Sequence, residues 1–185
     1  MGARGLYAQA KNRNTGRCIF KYRAANVFLV ADAYRGMEIR QAILDFLDSA
    51  AGDGSELLDL PRESGTLKIP IRGGATVVAY AGHDGLMDFP LSRLPRQKNA
   101  GHRDAIILAC ASKRYFSEAL RATGAHPLLW TTGLMAPEAY TLESALHGWI
   151  AGESNDRIRD RAAHAYDKYQ NCGFQAAHKL LTSGW

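Results

Sequence analysis

The sequence predicts an α/β protein in which a mostly parallel sheet carries helices on both faces. Short apolar runs occur at 27–31, 75–81 and 105–109, as expected for strands that are buried on both sides. Segments whose apolar residues recur with helical spacing alternate with these runs. A chain of 185 residues fits a single three-layer domain, so we expect residues 1–185 to form one domain.

The amino-terminal third of the chain combines one clear strand and helix with irregular segments. Residues 1–25 have no sustained hydrophobic period and are predicted to form an irregular N-terminal extension. The run 27–31 is predicted to be a buried strand that ends at Asp32, and helical spacing predicts a helix over 37–51. The segment 57–71 is interrupted by prolines and a glycine, which favours a loop with one irregular strand.

Two further strands are expected in the middle of the sheet. The β-branched run 75–81 is predicted to be a central strand that leads into the turn 82–85. A basic segment without apolar period, 86–103, is predicted to be a surface loop. The run 105–109 is predicted to be a second buried strand, which ends at Cys110.

The remainder of the chain is predicted to be mainly helical. A helix that follows Cys110 is expected to stop at Gly124, and residues 126–132 are expected to form a strand. Further helices are predicted to begin near Pro137 and after a capping Ser154, and a short helix is predicted over 174–181.

Composition narrows the possible partners and cofactors. The net charge of +5 comes from basic residues that are scattered along the chain, which argues against a nucleic-acid partner. No apolar stretch has the length of a membrane span or the form of a signal peptide, so we expect no membrane partner and a cytoplasmic location. Cys18, Cys110 and Cys172 are widely spaced, and no glycine-rich phosphate loop is present; we therefore expect no disulfide framework, no metal and no cofactor.

Three predicted strands end in polar residues whose side chains can take part in catalysis or binding: Asp32, His83 and Cys110. Ligands of open α/β sheets bind outside the carboxyl ends of the strands, so these side chains can converge there. A cysteine attacks a carbonyl as the thiolate, and an imidazole exchanges the protons, which is the minimum for acyl transfer. Structural alternatives remain open: a buried core cysteine, an idle loop histidine and a capping aspartate.

The two later strand ends resemble those of the caspase-like cysteine peptidases, the clan that includes gingipains, legumains, separases and CHAT-domain proteases. One strand ends in Gly82-His83-Asp84-Gly85 and the next in Leu108-Ala109-Cys110-Ala111-Ser112. In that clan, the catalytic histidine ends one strand and the cysteine ends the next. The resemblance spans about 27–169 and implies a caspase-like fold and a cysteine endopeptidase. Cys110 would be the nucleophile and His83 the general acid/base.

The sequence departs from this clan directly after the histidine. A glycine usually follows the histidine there and lines the oxyanion hole, whereas here Asp84 comes before Gly85. Either Asp84 or Gly85 supplies the oxyanion donor, or the chain is an inactive caspase-like scaffold that binds a protein partner. In clan members that cleave after Arg or Lys, an acidic residue lines the pocket. The resemblance assigns that role to Asp32, with Asp84 as competitor, and implies a protein or peptide substrate and a possible regulatory protein partner.

Overall fold

A computed structural model gives the fold of residues 15–63 and 65–185. In this part of the chain, five α-helices accompany a four-stranded mixed sheet and two antiparallel strand pairs. The elements in chain order are β1 (Thr15–Lys21), β2 (Phe28–Tyr34), α1 (Ile39–Ala50), β3 (Glu56–Arg62), β4 (Gly65–Ile71), β5 (Val77–Ala81), β6 (Asp104–Leu108), α2 (Ser112–Thr123), β7 (His126–Thr131), α3 (Ala139–Ile150), α4 (Asn155–Gln170), α5 (Phe174–Leu180) and β8 (Leu181–Thr182).

The four-stranded sheet has the order β5-β6-β7-β8. The first three strands are parallel, and β8 runs antiparallel to β7. In β6 the side chains alternate between two hydrophobic cores: Ala105 and Ile107 belong to one, and Ile106 and Leu108 belong to the other. All four are 0% exposed, which confirms the prediction of a strand buried on both faces.

Helices cover both faces of this sheet. The first core joins the sheet to α1 and α2, and the second joins it to α3, α4 and α5. The buried helical residues of the first core are Ile43, Phe46, Leu47, Ala50, Phe116, Ala119 and Leu120. Those of the second are Ala145, Ile158, Ala162, Ala163, Tyr166 and Ala177. The mixed α/β class predicted from the sequence is therefore confirmed, and the caspase-like topology stays a prediction.

The helices begin and end close to their predicted positions because the sequence supplies their caps. Helix α2 ends at Gly124, whose φ of +76° is the left-handed conformation that glycine adopts without strain. Helix α4 is capped by Ser154, whose hydroxyl accepts a hydrogen bond from the Arg157 N–H. None of the helices in the described ranges has the length and apolar character needed to cross a membrane.

The prediction for the first strand is wrong in its position. Strand β2 lies outside the four-stranded sheet and pairs antiparallel with β1. Its residues alternate between half-buried and exposed, so the apolar run reflects a strand with one covered face. Strand β1 also falls within the segment 1–25 that was predicted to be irregular; residues 1–14 of that segment lie outside the described residues.

The segment 57–71 is a β-hairpin, which corrects the prediction of a loop. Strands β3 and β4 pair antiparallel across all seven residues of each, with Pro61 opposite Thr66 and Leu57 opposite Pro70. Among the described residues, β3 and β4 pair only with each other. Pro61 and Pro70 lack an N–H, but no further strand requires one from them.

Strand β5 is an edge strand, whereas the sequence predicted a central one. Val78 and Tyr80 are buried on the first core, while Ala79 and Ala81 are exposed. The continuous run of small and β-branched residues hides this alternation, because alanine is apolar on either face.

Candidate active site

The connections that follow β6 and β7 leave the carboxyl edge of the sheet toward opposite faces, and the region between them is called the crevice below. Strand β6 leads into α2, which packs on the first core, and β7 leads into α3 and α4, which pack on the second. Connections that leave neighbouring strands toward opposite faces separate there and create the usual ligand site of open α/β sheets. Cys110 lies at this crevice, two residues after the end of β6.

The turn that carries Cys110 is held by a buried polar network. Ala111 adopts a left-handed φ of 48° and donates its N–H to the Gly133 carbonyl at 2.8 Å. The Ser112 N–H donates to Thr131 Oγ1 at 3.1 Å, and Ser112 Oγ donates to the Ile107 carbonyl at 2.9 Å. Thr131 Oγ1 also donates to the carbonyl of Ala109. Ser112 and Thr131 are both 0% exposed, so these bonds tie the turn to β7 without competition from water.

The sulfur of Cys110 faces the segment that follows β7. The Met135 N–H donates to Sγ at 3.4 Å, and Sγ donates to the Met135 carbonyl at 3.5 Å. The Ala136 N–H donates to the hydroxyl of Tyr166 in α4 at 3.1 Å, and burial raises the pKa of that hydroxyl. Hydrogen bonds at Gly133, Met135 and Ala136 therefore hold the segment 133–136 next to Cys110, the candidate nucleophile.

His83 lies at the carboxyl end of the strand next to β6. Ala81 pairs with Leu108, and the Gly82 N–H donates to the Leu108 carbonyl at 3.1 Å. His83 and Cys110 thus each lie two residues beyond a matched pair of neighbouring parallel strands. The structure places both at one edge of the sheet, and their chemical roles stay predictions.

The imidazole of His83 is bound to a carboxylate that the sequence analysis did not single out. His83 Nε2 lies 2.6 Å from Asp88 Oδ2, and the His83 side chain is 58% exposed. Asp88 follows a one-turn 3-10 helix, Gly85–Met87, whose N-cap residue is Asp84. Tyr80 fixes the backbone of the turn by donating its hydroxyl to the His83 carbonyl at 2.7 Å. An Asp-Gly pair after a strand signals such a turn. A search for carboxylates among the residues that follow the turn would have identified Asp88.

Asp84 is a buried carboxyl at the start of this turn. It is 0% exposed, its Oδ1 accepts the Leu86 N–H at 3.0 Å, and its Oδ2 has no hydrogen-bond partner among the described residues. Desolvation raises the pKa of Asp84 to about 6. Burial, together with the Asp84 charge, raises the pKa of the Tyr80 hydroxyl to about 12. The carboxyl side chain of Asp84 therefore caps the turn from inside the protein and does not reach substrate.

The N–H of Gly85, a predicted oxyanion donor, already has an acceptor within the turn, and its role stays a prediction. This N–H donates to the His83 carbonyl at 3.1 Å. A Cβ at this position would lie 2.7 Å from the Phe89 ring and 3.1 Å from Ile43. Gly85 is thus required for close packing of the turn on the first core. The Asp84 N–H has no acceptor in the described part of the chain, so Asp84 also stays a predicted donor through its backbone.

Asp32 does not lie at a strand end of the four-stranded sheet, where the sequence analysis expected it. It lies in the middle of β2, outside the four-stranded sheet. Its two carboxylate oxygens accept hydrogen bonds from Arg17 Nε and Nη2 at 2.6 and 2.7 Å, and this pairing raises the pKa of Arg17. The prediction failed because β2 was assigned to the sheet that holds His83 and Cys110, and because the cross-strand arginine was not considered.

Elsewhere on the surface, a cavity of 840 Å³ lies between the end of α2 and the loop 93–98, with Asp53 and Ala122 in its wall. Ala122 is ten residues beyond the first residue of α2, which is about 15 Å along a helix axis from the Cys110 turn. This cavity is therefore separate from the crevice. Across residues 15–63 and 65–185, no group of three or more His, Cys, Asp and Glu side chains is arranged to hold a metal ion.

Comparison with known proteins does not assign this chain to a family. No protein-family model, no curated protein and no solved structure matches the chain. The functional argument therefore depends on the residues and geometry described above.

Proposed function

We propose that the protein is a cysteine endopeptidase of caspase-like fold, with Cys110 as nucleophile and His83 as general acid/base. The observation that carries this proposal is the position of Cys110 at the crevice between β6 and β7, next to the strand end that bears His83. A thiol at a ligand crevice with an imidazole on the adjacent strand end fits nucleophilic acyl transfer.

Asp88 gives His83 the orientation that this role needs. With Nε2 donating its proton to the Asp88 carboxylate, the other ring nitrogen, Nδ1, is left to exchange protons with Cys110 and the leaving group. A carboxylate in this position also stabilises the imidazolium that forms during the reaction. Asp88 therefore acts as a positioning residue in the proposed site.

The proposed reaction proceeds in two balanced steps. His83 Nδ1 takes the proton of the Cys110 thiol while Sγ attacks the peptide carbonyl carbon. A C–S bond forms, the C–N bond breaks, and the leaving amine receives the proton from His83. A water molecule then attacks the thioester while His83 takes a proton from it. Cleavage of the C–S bond releases the carboxylic acid and restores the thiol.

The backbone N–H of Met135 is the proposed donor to the oxyanion of these steps, because it lies 3.4 Å from Sγ. The Asp84 N–H, a donor predicted from the sequence, belongs to a residue that is 0% exposed. Met135 contributes only its backbone, so no sequence motif could have identified it. A carbonyl that displaces the Met135 contact with sulfur would bring its oxygen within reach of this donor.

One observation favours an inactive scaffold that binds a protein partner. His83 is bound to Asp88, and Cys110 is bound to Met135. The two side chains share no hydrogen bond in this structure. Catalytic hydrogen bonds often form only with substrate present, so a measurement of activity must separate the two functions.

The experiment measures hydrolysis of a proteome-derived peptide mixture, followed by mass spectrometry of new termini. The variants are Cys110→Ala and His83→Ala, with Cys18→Ser as the matched control, because Cys18 is a half-buried free thiol like Cys110 but lies in β1, outside the four-stranded sheet. We expect both crevice variants to abolish cleavage and the control to cleave like the wild type. Equal cleavage by wild type and Cys110→Ala would refute the peptidase, and absence of cleavage in all four proteins would favour the scaffold.

A further inference from the structure

Leu134 is an exposed apolar side chain on a pinned segment. Its side chain is 76% exposed. Its neighbours Gly133 and Met135 are hydrogen bonded to Ala111 and to the Cys110 sulfur. An exposed leucine is ordinary on a loose loop. Here the backbone is held in place next to Met135, which contacts the sulfur of the proposed nucleophile.

Helices α3 and α4, which pack with Met135 in the second core, also carry aromatic side chains near their surfaces. The Tyr166 hydroxyl holds the Ala136 N–H, and Tyr169 follows Tyr166 at the i+3 spacing of neighbours on a helix. Tyr169 is 55% exposed, and its ring stacks on that of Tyr140 with 4.3 Å between the centroids. Leu134, Tyr140 and Tyr169 are called the apolar rim of the crevice below.

The carboxylates that could bind a basic substrate residue are either paired or buried. Asp32 is paired with Arg17 in the β1–β2 hairpin. Asp88 is bound to His83, and Asp84 is 0% exposed. A substrate arginine would therefore have to compete with an existing partner or enter an apolar interior, and both are costly.

We infer that the apolar rim binds a large apolar side chain, aliphatic or aromatic, next to the bond that is cut. The inference rests on the proposed function and names its substrate class. Contact with such a side chain would cover Leu134 and Tyr169, two exposed apolar side chains beside the crevice, and would remove their surface from water. Specificity for an apolar residue follows from this contact, and specificity for a basic residue does not.

The test compares four proteins on one pair of fluorogenic peptides that differ only in the residue flanking the cut bond, Leu or Arg. The proteins are wild type, Leu134→Ser, Tyr169→Ser and the control Leu57→Ser. Leu57 is also an exposed leucine, 60% accessible, but lies in the β3–β4 hairpin. We expect the wild type to favour the Leu peptide in kcat/KM by about 10-fold or more.

The Leu134→Ser and Tyr169→Ser variants test whether the apolar rim binds the Leu side chain of the peptide. We expect Leu134→Ser to lower kcat/KM for the Leu peptide about 10-fold, with a smaller loss in Tyr169→Ser. Leu57→Ser should match the wild type on both peptides, and the ratio of kcat/KM for the Leu peptide to that for the Arg peptide should fall in Leu134→Ser and Tyr169→Ser. If the wild type prefers the Arg peptide, or if Leu134→Ser keeps the preference for the Leu peptide, the apolar rim does not bind the substrate side chain. Either result leaves the peptidase proposal unaffected. Failure of the wild type to cleave any peptide of a mixed library would instead overturn the peptidase and this inference together.

Discussion

Asp84→Asn removes the buried ionisable group under the His83 turn while preserving the shape of the turn. The amide oxygen of asparagine can accept the Leu86 N–H as Asp84 Oδ1 does at 3.0 Å, and asparagine caps helices about as well as aspartate. The substitution therefore isolates the effect of ionising a carboxyl that is 0% exposed and has one oxygen without a partner among the described residues.

The size and sign of the effect follow from the pKa of Asp84, which burial raises from 3.8 to about 6. The folded protein binds this proton more tightly than the unfolded chain does. The resulting stabilisation is complete below about pH 4 and is lost as the pH rises through about 6. A rise of this size corresponds to about 3 kcal/mol in total, of which about 1.3 kcal/mol disappears between about pH 5 and pH 7.

The assay is urea unfolding, monitored by tryptophan fluorescence, at pH 5, 6 and 7. Between pH 5 and 7 we expect the free energy of unfolding of the wild type to fall by about 1.3 kcal/mol more than that of Asp84→Asn. Asp59→Asn, which removes an exposed carboxylate paired with Lys68, should retain the wild-type dependence. Parallel pH profiles for wild type and Asp84→Asn would refute the assignment of a raised pKa to this carboxyl.

Three further predictions address the site and its support. Asp88→Asn should lower kcat about 100-fold with little change in KM, because His83 loses its orienting carboxylate; unchanged steady-state kinetics would remove Asp88 from the mechanism. Thr131→Val should lower the free energy of unfolding in urea by about 1 to 3 kcal/mol, because it leaves buried partners such as the Ser112 N–H unsatisfied; a neutral effect would contradict the role of the network. Asp32→Asn should leave the ratio of kcat/KM for Leu and Arg peptides unchanged, and a selective loss of Arg cleavage would restore the original assignment.

The sequence predicted the helices well because their apolar spacing and caps are local signals. Helix α2, its glycine stop and the Ser154 cap all depend on residues within a few positions of the element. Strand β6 was also predicted correctly, since only a strand buried on both faces requires an unbroken apolar run. The apolar runs placed His83 and Cys110 at strand ends, and the structure shows that those two strands are neighbours.

The remaining features depend on pairings between distant residues. The partner of Asp32 is fifteen positions away on another strand, and β2 is paired with β1 instead of with the central sheet. The edge position of β5 depends on strand order, which a single apolar run does not encode. The contact of Cys110 with Met135 uses backbone atoms 25 positions away, so it leaves no trace in residue type.

The most direct test of the proposed Cys110–His83 pair is the rate at which iodoacetamide alkylates each thiol at pH 7, followed by peptide mapping. Cys172 is exposed and Cys110 is half-buried, so accessibility alone would favour Cys172. The pairing predicts faster alkylation of Cys110, since an imidazole beside the thiol can take its proton as the sulfur attacks, and predicts that His83→Ala slows Cys110 without changing Cys172. Faster alkylation of Cys172 in the wild type, or a Cys110 rate that His83→Ala leaves unchanged, would contradict the pairing.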